Sequence, residues 1–435
     1  MKQLKYFFLI TVCLISCKCM LNAQQQLLSL SDAIQTGLTN SYGVVIAGFD
    51  VDIASINNNW GTAGRFPGIG FTAASLNSVD IEEGENTSFN TVRANLNATW
   101  TIFDGFRVNI TKEKLEELEN LSKGRAAVVI ESTIEDIILS YYAVLLETEK
   151  LKVFEQVMDL SKDRFAYETL RNETGNALLT DLLQAKNVYL DDEAAWLRQK
   201  VVVNNAKRYL NFLLGMEPQS RYLLTEKFTT DTSSYQLEYL TSRMLKGNQT
   251  LKNQYINMLL QEKEIKLKKS DLSPSLNLSA GLENRYSRST VSNRNVFSPY
   301  GNLNLSYNIF SGGNRKRAIQ IAEIDLQSSE TETREITHIL KNQLFNLHEQ
   351  YQLRKELLNV SQESKETAGM NLEISDEKYK TGAITSFEYR AIQLLFLNAS
   401  LNQLQSVYNL IETRTALTRI IGGFIDVNGK VGLND

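Results

Sequence analysis

The chain has few of the residues that stop helices, form disulfides or bind metals. Its three cysteines lie at positions 13, 17 and 19, so the long remainder of the chain contains no thiol and can form no disulfide. Its four prolines, at positions 67, 218, 274 and 299, leave residues 68–217 and 300–435 free of the residue that most reliably interrupts a helix. These two stretches can therefore form very long helices.

Other absences exclude whole classes of protein. A net charge of -4 over 435 residues, without a basic run, argues against a nucleic-acid partner. No window holds about 18 consecutive apolar residues, so no transmembrane helix is expected in the mature chain. The two histidines, His338 and His348, fall on different faces of one predicted helix and make no metal pair. With no glycine-rich phosphate loop after a strand, the sequence predicts no enzyme, cofactor or metal.

The first residues have the pattern of an export signal. Lys2 and Lys5 precede the apolar run 6–15, which is too short to span a bilayer but fits the core of a secretory signal. Two cleavage sites remain open: one after Ala23, which we favour, and one before Cys17, which would then carry a lipid. The signal is accordingly expected at residues 1–23.

Two segments 207 residues apart repeat one alternating pattern. Residues 95–105 read Asn-Leu-Asn-Ala-Thr-Trp-Thr-Ile-Phe-Asp-Gly, and residues 302–312 read Asn-Leu-Asn-Leu-Ser-Tyr-Asn-Ile-Phe-Ser-Gly. Alternation of polar and apolar residues is typical of a strand with two different faces. Residues 69–73 predict an earlier strand, and the acidic residues 80–90 predict a loop between the two.

Elsewhere the apolar residues follow a helical period. One helix is expected from Leu30 to about Asn59, with Ser31 or Asp32 as its N-cap. After Gly105 a helix of about 65 residues, on the order of 100 Å long, is predicted to bury the apolar residues of one stripe. These are Ile134, Ile137, Ile138, Tyr141, Leu145, Phe154, Val157 and Leu160. Gly175 ends it, and a second helix returns to Gly215, which predicts an antiparallel hairpin; a coiled-coil spacer fits the same periodicity.

The two halves of the sequence match at a constant offset. Pro67 aligns with Pro274, Gly105 with Gly312, and Gly175 with Gly382, without an insertion. Each half then reads helix, strand, loop, strand, long helix, turn, long helix, a duplicated unit and not a solenoid. The expected divisions are a first repeat at 24–217, a linker at 218–234, a second repeat at 235–423 and a tail at 424–435.

Four amphipathic strands cannot close a membrane barrel within one chain, since single-chain barrels have at least eight or so. Two chains would give eight strands and three would give twelve, wide enough for a water-filled bore. The polar faces favour the homotrimer. The residues expected to face lipid are Leu96, Ala98, Trp100, Leu303, Leu305 and Tyr307, and those expected to face the lumen are Asn95, Asn97, Thr99, Asn304 and Ser306.

Over nearly its whole length the chain resembles the TolC family of outer membrane efflux proteins. The resemblance rests on the tandem duplication, on the strand-to-helix junctions at residues 102–105 and 309–313, and on the turn signatures at Gly175 and Gly382. It implies a mixed, mostly helical fold: a trimeric twelve-stranded barrel in outer-membrane lipid that continues into a periplasmic tube of helical hairpins. It also implies a periplasmic adaptor and an inner-membrane pump as partners.

The resemblance places candidate sites near the two turns. The adaptor-docking tips would be Thr174, Gly175, Asn176, Thr381, Gly382 and Ala383. The aperture or latch would involve Asp181, Tyr379 and Glu388, since both carboxylates stand six residues after their turn glycine. Such carboxylates also stabilise the start of a helix simply by opposing its dipole. The chain departs from the family at Ala391 and Asn172, where an acid and a tyrosine are common, which weakens the case for a cation-binding ring or a symmetric latch.

Two other classes remain as alternatives. A periplasmic coiled-coil stalk or adaptor without a channel would explain the helical hairpins but not the four alternating strands. An enzyme would need a site that the residues do not supply. The sequence does not identify the cargo among drugs, metals and polypeptides.

Overall fold

A computed structural model of the chain describes residues 26–82, 85–289 and 292–424. The helices are α1 (Leu30–Asn40), α2 (Tyr42–Asn57), α3 (Arg107–Glu173), α4 (Leu179–Leu213), α5 (Leu237–Gly247), α6 (Gln249–Ser270), α7 (Asn314–Lys380) and α8 (Ser386–Ile420). The strands are β1 (Gln26–Leu28), β2 (Gly68–Glu82), β3 (Glu85–Phe103), β4 (Tyr222–Leu224), β5 (Ser275–Ser289) and β6 (Asn293–Ser306). The expected signal segment 1–23, with Cys17, lies outside the described residues. Of the helices in this part of the chain, none has the length and apolar character needed to cross a membrane.

The duplication predicted from the sequence is present element by element. Helices α1, α3 and α4 have the same bounds as α5, α7 and α8 when 207 is added to their residue numbers, and β2 coincides with β5 in the same way. One difference is α2, which ends at Asn57, whereas α6 continues for six further residues beyond the equivalent position. Another is β6, which ends at Ser306, four residues before the position equivalent to the end of β3. The two halves therefore share one plan and differ just before the first of these strands and at the end of the second.

Three expectations about local structure were wrong. The helix predicted from Leu30 to Asn59 is broken at Ser41, which is extended, and the equivalent break in the second half falls at Asn248. Ser and Asn favour such breaks because their side chains compete for backbone hydrogen bonds. The N-cap is Ser29, whose hydroxyl accepts from the Asp32 backbone N–H in a capping box.

Residues 80–82 and 85–90, where a loop was expected, form strands instead. Strands β2 and β3 pair antiparallel as far as Glu82 and Glu85, so most of these residues belong to a long hairpin. Cross-strand pairing overrides the weak strand propensity of Asp80, Glu82 and Glu85.

Within the described residues the chain forms two compact units. The helical unit comprises residues 26–46, 129–248 and 340–424, and the sheet unit comprises residues 47–128 and 249–339. The sheet unit contains one antiparallel sheet in the order β2-β3-β5-β6. The core of the helical unit includes the predicted stripe residues Ile134, Ile137 and Tyr141, all fully buried.

The sheet has one apolar and one polar face over the half nearest the helices. The register places Leu96 beside Phe71 and Leu282, and it places Asn97 beside Gly70 and Gly281. On the polar face the Thr101 hydroxyl donates to Asn277 Oδ1 over 3.0 Å. The predicted alternation is confirmed, while the environment of each face stays a proposal.

A half-buried carboxylate, that of Glu226, holds the first residues of the helical unit in place. Strands β1 and β4 pair parallel, and beside them Glu226 accepts hydrogen bonds from the Tyr141 hydroxyl and from the Leu30 backbone N–H. Burial alone would raise the pKa of the Glu226 carboxyl, but these hydrogen bonds outweigh it and lower the pKa. The carboxylate stays ionised and fixes the start of α1 against α3.

Candidate functional site

The two tight turns of the long hairpins have the same geometry. Each glycine, Gly175 with φ +75° and Gly382 with φ +77°, adopts the left-handed conformation that favours glycine. Around Gly175 the Gly175 N–H donates to Asn172 O and the Asn176 N–H to Arg171 O, the bonding pattern of a Schellman motif. The same pair of bonds surrounds Gly382. Each long helix thus ends with its last carbonyls satisfied.

A cluster of tyrosines lies just before the second turn. Tyr379 is buried at the end of α7, and its ring stacks on that of Tyr389 in α8, with centroids 4.8 Å apart and planes 8° apart. Tyr167 of α3 meets Tyr379 edge to face, with centroids 5.6 Å apart. This packing joins the second hairpin to the first helix of the first hairpin within one chain.

The hydroxyl of Tyr379 donates to the carboxylate of Glu168, which is 1% exposed. Burial, and then the hydrogen bond to Glu168, raise the pKa of Tyr379 to about 12, so this hydroxyl keeps its proton at physiological pH. One turn earlier, the buried guanidinium of Arg164 donates to the Ser386 hydroxyl at the start of α8. Its Nε and Nη1 have no hydrogen-bond partner among the described residues. We call Glu168, Arg164, Tyr379, Tyr389 and Ser386 the clasp.

An aspartate anchors the second tyrosine of the clasp. The Tyr389 hydroxyl donates to Asp376 Oδ1 over 2.7 Å, and Lys380 Nζ donates to Asp376 Oδ2 over 2.6 Å. Burial would raise the pKa of the Asp376 carboxyl, but the hydrogen bonds from Lys380 and Tyr389 more than offset it and lower the pKa. The Asp376 carboxylate therefore stays ionised and holds the Tyr389 hydroxyl of the clasp.

A bidentate ion pair links the two returning helices. Arg390 of α8 donates from Nη1 and Nη2 to the two oxygens of Asp192 in α4, over 2.8 and 2.7 Å. The side chains are 18% and 9% exposed, so the pair is largely removed from water. Paired in this planar geometry, the two charges stabilise each other; separated, each would be a costly buried ion.

The predicted aperture residues occupy matched positions with different contacts. Asp181 and Glu388 are both the third residue of their helices, α4 and α8. Glu388 is exposed and completes a capping box, accepting from the Thr385 backbone N–H over 2.8 Å, which lowers its pKa. Asp181 is half-buried, and no side-chain hydrogen bond to it occurs within the described residues. The structure does not bring Asp181 to Tyr379; the partner of Tyr379 is Glu168.

The six predicted docking residues lie on the surface of the turns. Thr174, Gly175, Asn176, Thr381, Gly382 and Ala383 are all exposed. Next to them large apolar side chains are also exposed, among them Leu178 and Phe387, which are 70% and 74% exposed. In the described part of the chain no group of three or more His, Cys, Asp or Glu side chains is placed to hold a metal ion.

Sequence reasoning missed the clasp and the Asp192–Arg390 pair. One signal was available: Arg164 and Glu168 continue the apolar stripe of α3 beyond Val157 at helical spacing, so charged residues occupy positions that face the interior. A charge on a buried stripe implies a partner, although the sequence does not say which one. The duplication could not help, because position 168 corresponds to Ser375 and position 390 to Leu183.

The same arrangement of helical hairpins and strands occurs in several solved channel structures. The outer membrane protein VceC from Vibrio cholerae superposes with a TM-score of 0.72 at 16% identity, over 91% of this chain and 96% of that chain. CusC, described for its transmembrane channel formation, gives 0.75 at 16% identity, over 91% and 92%. The open state of the MtrE outer membrane channel of Neisseria gonorrhoeae gives 0.70 at 14% identity, over 91% and 89%. These likenesses define the fold as that of the outer-membrane channels.

The sequence identifies the family directly. The sequence pattern described as "Outer membrane efflux protein" matches residues 33–216 and 240–423, once in each half. The chain therefore belongs to the outer membrane efflux protein family, as its resemblance to that family predicted. No curated protein matches the sequence at a significant level.

Proposed function

We propose that three copies of this chain form a passive conduit across the bacterial outer membrane and periplasm, receiving substrates from an inner-membrane pump through a periplasmic adaptor. The observation that carries the proposal is the four-stranded sheet, whose outer strands β2 and β6 have one neighbour each within the described residues. Unpaired backbone groups are costly in lipid, so such a sheet requires closure. Joining β2 of one copy to β6 of the next gives twelve strands.

The two faces of the sheet support the same proposal. In a closed barrel the apolar row with Leu96, Trp100 and Leu303 would face lipid, and the row with Asn97, Thr99 and Asn304 would line a wet bore. Family membership and the expected export signal favour the outer membrane as the location. A coiled-coil stalk, the alternative, gives no reason for a sheet with an exposed apolar face.

The clasp and the turns would then form the closed end of the conduit. Within each chain the clasp holds the tip of the second hairpin to α3, and we assign to Tyr379 the role of keeping that tip closed. Asp181 would add a weaker contact to a neighbouring hairpin. Glu388 from three copies would surround the axis, where repelling carboxylates attract cations.

Replacing Tyr379 with phenylalanine is expected to raise the resting conductance in planar bilayers by on the order of tenfold. The substitution removes a hydrogen bond to a buried charged group, worth about 1.5–3 kcal/mol, while keeping the ring.

Asp181→Ala should give a smaller rise in resting conductance, and Glu388→Gln should reduce the preference for cations over anions. The matched control is Tyr408→Phe, since the Tyr408 hydroxyl donates to Leu139 O over 3.3 Å elsewhere in the helical unit.

The outcomes separate the parts of the proposal. A parent protein that never conducts contradicts the conduit itself. If the Tyr379→Phe, Asp181→Ala and Glu388→Gln variants have the conductance and selectivity of the parent, Tyr379 does not keep the hairpin tip closed. Asp181 and Glu388 would then only stabilise the starts of their helices. An equal rise in Tyr408→Phe would attribute the effect to general loosening of the helices.

The exposed turns are expected to contact the adaptor. A photo-crosslinking residue at Thr174 or Thr381 should join the chain to the co-expressed periplasmic adaptor of its own efflux system, because these positions adjoin exposed apolar side chains. The control is the same residue at Glu238, an exposed position in α5. Crosslinks from Glu238 but not from the turns would place the contact on the side of the helices.

A further inference from the structure

The sheet unit contains a cleft of about 760 Å³ where β3 passes into α3. Trp60, Arg65, Trp100 and Lys112 line it, together with the carboxylates of Asp104, Glu113 and Glu116. None of these residues belongs to the turns or the clasp. The cleft combines two indole rings, two cations and three carboxylates. Packing a strand against a helix requires apolar contacts and does not explain so many charged side chains in one place.

One wall of the cleft is a hydrogen-bonded turn that directly follows α2. The equivalent segment of the second half is helical instead. After α2 ends at Asn57, the Asn59 side chain donates to Ile56 O over 2.7 Å and accepts from the Thr62 N–H over 2.9 Å. In the second half α6 continues to Ser270 instead. The positions equivalent to Trp60, Arg65 and Lys112 are Leu267, Leu272 and Ile319. The shared fold therefore does not depend on these three side chains.

The two cations are held beside the Trp60 ring. The Arg65 guanidinium lies 4.6 Å from the ring centroid, and the Lys112 Nζ lies 6.0 Å from it. Lys112 Nζ donates to Asn58 Oδ1 over 2.6 Å, and Trp100 Nε1 donates to Arg65 O over 2.8 Å. Neither cation forms an ion pair within the described residues. Both cations are thus held in position by the protein, and neither is bound directly by a carboxylate in this part of the chain; the carboxylate of Glu119, which acts on Lys112, is joined to it through the Asn58 side chain.

The carboxylates are partly available as well. Glu113 is bound by Lys263 over 2.7 Å, whereas Asp104 and Glu116 form no ion pair in the described part of the chain. The cleft thus offers two cations and two carboxylates that are not paired with each other. Such a site fits a zwitterion better than a simple anion.

The cleft opens at the end of the apolar face of the sheet. Trp100 lies on the same face as Ile69 and Phe71, because the register pairs Ala98 with Ile69 and Leu96 with Phe71. Ile69 and Phe71 are 75% and 69% exposed. A ligand with its polar group in the cleft could lay an apolar tail along these side chains. Tryptophan and basic residues at the edge of an apolar surface are typical of a membrane–water interface.

We infer that the cleft binds the headgroup of a zwitterionic aminophospholipid, with the phosphate between Arg65 and Lys112 and the ammonium towards Asp104 and Glu116. The acyl chains would lie along Ile69 and Phe71. This rests on the proposed membrane position of the sheet. It adds a specific lipid site on the first half of each chain.

Native mass spectrometry of the detergent-purified protein with added phosphatidylethanolamine tests the inference. The parent should retain one lipid per chain, and the double variant Arg65→Gln/Lys112→Gln should bind it at least tenfold more weakly. Lys316→Gln is the control, an exposed cation in the first turn of α7, outside the cleft. Phosphatidylglycerol and inorganic phosphate are the comparison ligands.

Each result bears on one part of the inference. Equal retention of phosphatidylglycerol would overturn the role of the carboxylates. Displacement of the lipid by millimolar phosphate would leave an anion site only, and unchanged lipid binding in the double variant would overturn the site. The conductance of the same samples reports separately on the conduit, so a conducting protein that retains no lipid would contradict the lipid site alone.

Discussion

Replacing Arg390 with methionine is expected to destabilise the helical unit by about 3–5 kcal/mol, since the substitution leaves the Asp192 carboxylate buried without its partner. The parent pair is bidentate, with distances of 2.7 and 2.8 Å, and joins α4 to α8. The loss should appear as a lower thermal midpoint of the helical circular dichroism signal in detergent. Because this pair ties together the two helices that return from the turns, the variant should also open more often in bilayers.

The double variant Asp192→Leu/Arg390→Met is the matched control for this prediction. Replacing a buried pair by apolar residues is often neutral, so the double variant should recover most of the lost stability. If the single variant and the double variant are equally destabilised, the shape of the two side chains, and not their charge, determines the stability of this contact. A single variant as stable as the parent would show that water reaches Asp192.

Gly422→Ala is expected to reduce the yield of folded protein far more than Gly382→Ala, although both glycines have positive φ. At Gly382 an added Cβ meets nothing within 4 Å, so the cost is the strained backbone, about 1 kcal/mol. At Gly422 the Cβ would lie 2.2 Å from the carbonyl oxygen of Gly247, and backbone must move. Such overpacking adds roughly 1–3 kcal/mol or more.

Thermal midpoints and the yield of detergent-soluble protein measure this difference. Equal thermal midpoints and equal yields of the two variants would mean that the backbone around Gly247 moves aside at little cost in free energy. The comparison is well matched because each substitution adds one methyl group to a glycine that lies two residues after the end of a long helix.

The plan of the fold was predictable because it rests on local periodicity and on repetition. Alternation around Trp100 and Tyr307, the spacing of Ile134, Ile137 and Tyr141, and the turn at Gly175 each depend on neighbours in sequence. The duplication then tested each assignment a second time. Both turn glycines end their helices with positive φ, and Ile134, Ile137 and Tyr141 are buried.

The contacts that define the candidate site were not predictable in the same way. Tyr379 meets Glu168, a residue 211 positions away, and only the packing of three long helices decides that pairing. The turn at Trp60 was not predicted, because it depends on side-chain hydrogen bonds of Asn58 and Asn59, to Glu119 and to the Ile56 carbonyl, that periodicity does not indicate. Side-chain partners across helices depend on register and rotation, which periodicity leaves undetermined.

The position of Glu388 shows a limit of reasoning from spacing. The family resemblance predicts an aperture residue six residues after the turn glycine, but this position is also the third residue of a helix, where a carboxylate completes a capping box. The structure shows the capping contact with Thr385. The ring of three Glu388 side chains stays a proposal that requires the trimer.

The oligomeric state in mild detergent tests the central claim most directly. Native mass spectrometry of the purified protein should give one dominant species with three times the mass of the mature chain, since three sheets of the order β2-β3-β5-β6 close without a free edge. A monomer or dimer that keeps its strands, or a chain that stays soluble and monomeric without detergent, would contradict the account.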